Sequence, residues 1–250
     1  QGFANILGFK NYFGKTEYNN DKDFDGIWAI WDEPFLQYFA KNVGKSNKPF
    51  MTTVFTASSH HPFKIPAQYE GKFKKGFVEM HEPIQYADYA LKKYFETARK
   101  QPWYENTIFV ITGDHTNKIY YPEYAKAMNG YAVPIIFYSP NPKYNLKGKN
   151  MTYAQQIDIY PTLADIIGYN KPLRSWGRSL VSDKNEEYIV VNSDAIQEQF
   201  MIGNYIYRFD GKDITGIYEI TDLELKNNLL GKINNAEIER GKLLSKAWYQ

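Results

Sequence analysis

Gly113-Asp114-His115 closes the apolar run Thr107-Ile108-Phe109-Val110-Ile111-Thr112, and Ser58-Ser59-His60-His61-Pro62-Phe63 closes an earlier one. A carboxylate beside an imidazole is a donor pair for a borderline divalent ion such as Mn or Zn, better than for Ca. Hydroxyls and imidazoles just past a strand suit an anion such as phosphate or sulfate. In open α/β sheets ligands bind at the carboxyl ends of strands. Two such ends carrying three of the four histidines point to one site. Consecutive strand residues face opposite sides. Asp114 and His115 therefore reach one ion only if the strand has already ended, and Gly113 is expected to allow the break through a positive φ. Taken alone, the tripeptide equally fits a loop aspartate capping a helix beside a solvent-facing histidine. His81 precedes the helix start at Pro83, so a local structural role is expected. Trp28-Ala29-Ile30-Trp31-Asp32 is expected to be core rather than a sugar-stacking face.

Alternating strands and helices must position these groups. Residues 50–57 read as a buried strand rich in Thr, Val and Phe, as do 107–112 and 133–138. Phe35, Leu36, Phe39 and Ala40 recur at helical spacing, as do Ile84, Ala87, Leu91, Tyr94 and Phe95. Residues 121–128 read as a short helix, and 155–167 as a helix ended by Gly168. Pro161 inside that helix should kink it or mark a second start. The tail differs: short strands at 188–191, 200–202, 205–209 and 216–220, a Gly203-Asn204 turn, then a helix over 236–248. The pattern is an α/β fold, a mostly parallel sheet flanked by helices, followed by a small antiparallel sheet with a terminal helix. The pattern divides the chain into residues 1–180, the α/β part, and 181–250, an antiparallel subdomain with the terminal helix packed on the same domain.

Composition limits the function classes. Lys and Arg number 30 against 28 Asp and Glu, a net charge of +2, so no strong field favours nucleic acid. There are no cysteines among the 250 residues, which excludes disulfides, thiolate metal sites and a Cys nucleophile. No apolar run approaches the roughly 20 residues a spanning helix needs. Phosphate-loop, dinucleotide and nucleophile-elbow motifs do not occur.

Several segments, in order, resemble the lipoteichoic acid synthase group of the sulfatase and alkaline phosphatase superfamily. They are Ser59-His60-His61-Pro62-Phe63, Tyr86-Ala87-Asp88-Tyr89-Ala90-Leu91, Gly113-Asp114-His115, Gln156-Ile157-Asp158-Ile159-Tyr160-Pro161-Thr162-Leu163 and Trp176-Gly177-Arg178-Ser179-Leu180. The resemblance implies an incomplete alkaline phosphatase-like domain with one divalent ion, Mn first, Zn or Mg next. Asp114 and His115 become metal ligands, and His60 contacts the phosphate or glycerol-phosphate group. Ser59 stands where the family usually has Asn. The family's Thr nucleophile and a further carboxylate ligand match nothing here, so they are expected upstream, and no catalytic nucleophile is assigned in this chain. The implied activity is phosphoglycerol (phosphodiester) transfer or hydrolysis on a phosphate- or sulfate-bearing lipid or glycan of the cell envelope. The expected location is the outer face of a bacterial cytoplasmic membrane, with membrane attachment only through segments outside this chain. A sulfatase, a phosphoethanolamine transferase and a non-enzymatic glycan-binding module are the alternatives.

Overall fold

The computed structural model describes residues 2–45, 49–116, 118–182, 189–193 and 197–249. Two compact units divide the chain, residues 1–107 and 108–250.

The first unit is helical. Two short helices, α1 (Gly2–Ile6) and α2 (Lys15–Tyr18), precede α3 (Asp32–Val43) and α4 (His81–Ala98). Helix α3 buries Leu36, Ala40 and Val43, and α4 buries Tyr86, Ala90, Tyr94 and Ala98. Spacings of three and four keep each set on one face. Prolines 34 and 83 both fall in the first turn of their helix, where a missing N–H costs nothing. The two faces pack together. Phe39 stacks on Tyr94 at 5.8 Å, Thr97 Oγ1 donates to Gln37 Oε1 at 2.6 Å, and the Glu33 N–H donates to the buried Tyr86 hydroxyl at 3.2 Å.

The expected strand over 50–57 does not form. Among the described residues this segment has no ladder partner, and Met51 and Phe55 are 73% and 70% exposed. Strand propensity describes a surface that fits a sheet; without a neighbouring strand it produces only extended chain.

The second unit carries both sheets. Strands β1 (Phe109–Thr112) and β2 (Ile135–Tyr138) pair antiparallel, with Phe109 opposite Tyr138 and Thr112 opposite Ile135. This corrects the expected parallel pairing. A parallel pair needs a crossover, usually a helix. Among the described residues the link from 113 to 134 holds one 3₁₀ turn, Pro122–Ala125, where a short helix was expected. Helix α5 (Ile159–Ile166) follows a 3₁₀ turn at Gln156–Asp158, so Pro161 lies in its first turn and marks a second start. Gly168 ends it at φ +75.

The tail forms the meander β3 (Ile189–Ser193), β4 (Glu198–Ile202), β5 (Tyr205–Phe209) and β6 (Ile214–Glu219). Tyr188, expected in the first of these strands, lies outside the described residues. The sheet is buried on both faces. Phe200, Ile202, Tyr207, Phe209 and Ile217 pack against Ile238, Leu244 and Trp248 of α6 (Asn235–Tyr249). Met201, Ile206 and Tyr218 face Met128, Leu223 and Leu225. Each such buried side chain contributes roughly 1.5–3 kcal/mol. Gln155 fastens this sheet to the α5 segment: its Nε2 donates to the Ile189 carbonyl at 2.6 Å and its Oε1 accepts from the Val191 N–H at 2.7 Å.

Candidate functional site

Strand β1 stops at Thr112, and Asp114 and His115 lie in the bend beyond it. The break that lets both side chains face one point is therefore present. Its cause differs from expectation, because Gly113 is not among the left-handed glycines. A Cβ on Gly113 would sit 3.3 Å from Val133 Cγ1, a tight contact to which the Val133 side chain would have to give by a few tenths of an ångström, so the close approach of Val133 favours glycine there. Gln156 holds the bend. Its Nε2 donates to the Asp114 carbonyl at 3.1 Å and the Gly113 carbonyl at 3.3 Å. Neither the Gly113 approach nor the Gln156 clasp was legible from spacing.

Asp114 Oδ1 accepts the His115 N–H at 2.8 Å, and Asp114 Oδ2 lies 3.7 Å from His115 Nε2. Both side chains are more than half exposed. Ligand atoms each about 2.1 Å from one ion are roughly 3–3.6 Å apart at angles of about 90–120°. The pair nearly matches that span and the donor types suit Mn or Zn, so the two residues fit a metal as part of a ligand set. Among the described residues no third His, Cys, Asp or Glu joins them.

Residues Ile157 to Leu180 brace this region. The buried Asp158 carboxylate accepts the Gln155 N–H at 2.8 Å through Oδ2 and the Arg178 N–H at 2.9 Å through Oδ1. Thr162 Oγ1 donates to the Asp158 carbonyl at 2.6 Å and accepts the Leu180 N–H at 3.0 Å. A Cβ on Gly177 would fall 2.3 Å from the Ile157 carbonyl oxygen, so only glycine passes there. The two motif segments thus form one hydrogen-bonded junction.

In the first unit, His60 sits in a cleft lined with Asp25, Ile27, Trp31, Ser58 and Lys64. The loop that carries it is anchored from below. The buried Asp32 Oδ1 accepts the Ala57 N–H at 3.1 Å, the Ser58 N–H at 3.0 Å and the Ser58 hydroxyl at 2.7 Å, while Ser58 Oγ accepts the Asp32 N–H at 2.9 Å. Burial pushes the Asp32 carboxyl above the usual aspartate range, against the opposing pull of the Ser58 and Ala57 donors. Phe63, at φ +60, is a bulky residue in the left-handed region, a strain of order 1–3 kcal/mol. It is buried against His61.

Trp28 departs from the core role expected of its cluster. Ile30 and Asp32 are buried, but Trp28 is 59% exposed and its ring lies 4.6 Å from that of His60. His81 has the structural role expected: its Nδ1 accepts the Phe77 N–H at 3.1 Å at the start of α4.

The sulfatase family model matches residues 1–169 of the chain. The chain belongs to the sulfatase family. Among curated relatives of this sulfatase-family chain, the lipoteichoic acid synthase of Staphylococcus aureus is 26% identical over 94% of the chain and 37% of its own length. Lipoteichoic acid synthase 1 of Bacillus subtilis is 22% identical over 80% of the chain and 34% of its own length. The chain therefore spans about a third of the length of these relatives. Among solved structures, an alkaline phosphatase superfamily protein from Vibrio parahaemolyticus superposes with a TM-score of 0.77 at 23% identity, covering 97% of the chain and 60% of that protein. The lipoteichoic acid synthase LtaP from Listeria monocytogenes gives 0.73 at 18% identity, covering 99% and 64%. These likenesses establish the alkaline phosphatase/sulfatase-like fold. Among the described residues no helix is long and apolar enough to cross a membrane.

Proposed function

We propose that this sulfatase-family chain is part of a metal-dependent phosphoglycerol transferase or phosphodiester hydrolase acting on phosphate-bearing lipid or glycan of the bacterial cell envelope. The observation that carries the proposal is the Asp114–His115 donor pair, 3.7 Å apart beyond β1, in a chain similar to lipoteichoic acid synthases along most of its length. Asp114 and His115 hold one divalent ion, Mn in first place. Such an ion screens charge on a phosphoryl oxygen and lowers the pKa of a coordinated hydroxyl. His60 contacts the phosphate or glycerol-phosphate group. Gln156 keeps the Asp114 bend in place, and the Asp32–Ser58 clasp keeps the His60 loop in place. The nucleophilic hydroxyl and the remaining ligands come from outside these 250 residues, at the outer face of the cytoplasmic membrane.

The test is made on a polypeptide that joins this chain to its nucleophile-bearing segment. With Mn it should hydrolyse a nitrophenyl phosphodiester. Asp114→Ala and His115→Ala should each lose more than the roughly 10- to 100-fold that outer-shell changes cost. Turnover of nitrophenyl sulfate in place of the phosphodiester would overturn the proposal in favour of a sulfate ester. Full activity in both variants would remove the proposed metal ligands.

A further inference from the structure

We infer that Trp28 is a positioning residue that, through the His61 carbonyl, holds His60 in the tautomer with its proton on Nδ1. Nε2 is then left as a hydrogen-bond acceptor for a hydroxyl of the substrate. The inference rests on the reading of His60 as a substrate-contacting residue and specifies which atom makes the contact and to what kind of group.

The geometry is local to the first unit. Trp28 Nε1 donates to the His61 carbonyl oxygen at 2.8 Å, and His60 Nδ1 lies 2.9 Å from the same oxygen. A carbonyl has two lone pairs and no proton, so it can only accept. Both nitrogens must therefore be donors, and both lone pairs of that oxygen are filled. An unprotonated Nδ1 would set its lone pair against the carbonyl at hydrogen-bond distance. The proton of the neutral ring is thus placed on Nδ1 by the bond that Nδ1 makes, which leaves Nε2 bare. The indole lies 4.6 Å from the imidazole, its plane tilted by 61°, so one side chain fixes both the carbonyl and the ring.

Trp28 is itself held. Asp25 Oδ1 accepts the N–H groups of Ile27 and Trp28 at 2.7 Å and of Ala29 at 3.2 Å. The Asp25 N–H donates to the Ala29 carbonyl at 2.9 Å and the Trp31 N–H to the Asp23 carbonyl at 2.8 Å. The tight loop that results presents an exposed indole, which burial does not explain. On the other side, the His60 N–H donates to the Ala57 carbonyl at 3.1 Å, within the loop that Asp32 clamps. His60 is therefore fixed from two directions.

The consequence is chemical. A neutral imidazole with its proton on Nδ1 offers only a lone pair at Nε2. It accepts from a hydroxyl of a glycerol-type group and repels an ionised phosphate oxygen. Lys64, which lines the same small cleft, carries the charge opposite to that of a phosphate.

Long-range ¹H–¹⁵N spectra of the labelled 250-residue chain read the tautomer directly, at about pH 8.5, two units above the ordinary imidazole range. The expected result for His60 is a pyrrole-type Nδ1 and a pyridine-type Nε2. Trp28→Phe keeps a ring beside His60 and removes the indole N–H, and it should lose this signature in favour of the proton on Nε2. Glycerol 1-phosphate should shift the wild-type Nε2 signal, and inorganic phosphate should not. A pyrrole-type Nε2 in the wild type overturns the inference, whatever the titrations do. This measurement needs no variant. An Nδ1–H signature that survives in Trp28→Phe overturns the role of Trp28. Equal responses to both phosphates overturn the hydroxyl assignment. An Nδ1–H tautomer with no response to glycerol 1-phosphate supports the positioning and overturns the functional reading of His60, so the two failures remain distinct.

Discussion

Asp32 shows how one buried carboxylate can organise the loop that carries His60. Every hydrogen bond it accepts from that loop converges on Oδ1. An amide oxygen can accept the same three, so Asp32→Asn should cost less than about 1 kcal/mol. Asp32→Ala strands the buried N–H and hydroxyl of Ser58 and the half-buried N–H of Ala57 and should cost about 2–4 kcal/mol. Denaturant midpoints of the two variants check this. The pH dependence follows from the raised Asp32 pKa. The folded state keeps the proton to higher pH than the unfolded chain does. The contribution of this group to stability is therefore full below the ordinary aspartate range, about 3.9, and is lost as pH rises through the raised folded value. Comparing wild type with Asp32→Asn across that window isolates the effect: only the wild type should show this loss. Sequence alone placed Asp32 in an aromatic cluster. It did not show that Ser58, distant in sequence, closes the clasp, because that contact depends on how two loops meet.

At the scale of elements, two glycines decide how segments dock. Gly177 passes the Ile157 carbonyl where a Cβ would lie 2.3 Å from the oxygen, and backbone cannot yield as a side-chain tip can. Gly177→Ala should separate the Asp158–Arg178 junction. In α6, a Cβ on Gly241 would lie 2.2 Å from Cε1 of the fully buried Tyr207. Alanine is favoured over glycine in a helix by up to about 1 kcal/mol, but overpacking costs about 1–3 kcal/mol. Gly241→Ala should therefore destabilise despite better helix propensity, by about 1–2 kcal/mol in urea unfolding. A stabilised variant would show that α6 is not seated on Tyr207. The helices themselves were legible as elements, and the Pro161 restart of α5 is a local pattern. The stripe expected in α4, Ile84, Ala87, Leu91, Tyr94 and Phe95, is not its buried face. Tyr86, Ala90, Tyr94 and Ala98 are buried and Ile84 is exposed, because the neighbouring α3 decides which side is covered. The strands of the tail were legible too, because apolar side chains cover both faces of β4 and β5. Gly177 was readable as part of a motif, but its steric reason was not, since the obstructing carbonyl lies twenty residues away.

For the whole molecule, the two units differ in how their extended segments are paired. Residues 51–56 have no ladder partner among the described residues, whereas β4, β5 and β6 are paired and buried. Hydrogen exchange should separate them, with amides of 51–56 exchanging near unprotected rates and those of β5 exchanging slowest. Protection of 51–56 comparable to β5 would contradict the extended, unpaired state. The isolated chain should also bind Mn weakly and turn over no phosphodiester, because the proposed ligands Asp114 and His115 would provide two donors where tight sites use three or four. Calorimetric titration with Mn and a nitrophenyl phosphodiester assay check both halves, and robust Mn-dependent turnover by the chain alone would refute the second. The sequence by itself determined the motif order, the longer helices α3 to α6, the tail strands and the two donor types, because each is a local pattern of period, turn chemistry or side-chain identity. Only tertiary structure decided that β1 and β2 run antiparallel, that 50–57 finds no ladder partner among the described residues, that Val133 approaches Gly113 closely and that Trp28 lies against His60. Each of these depends on which distant atoms come into contact, and spacing along a chain carries no record of that.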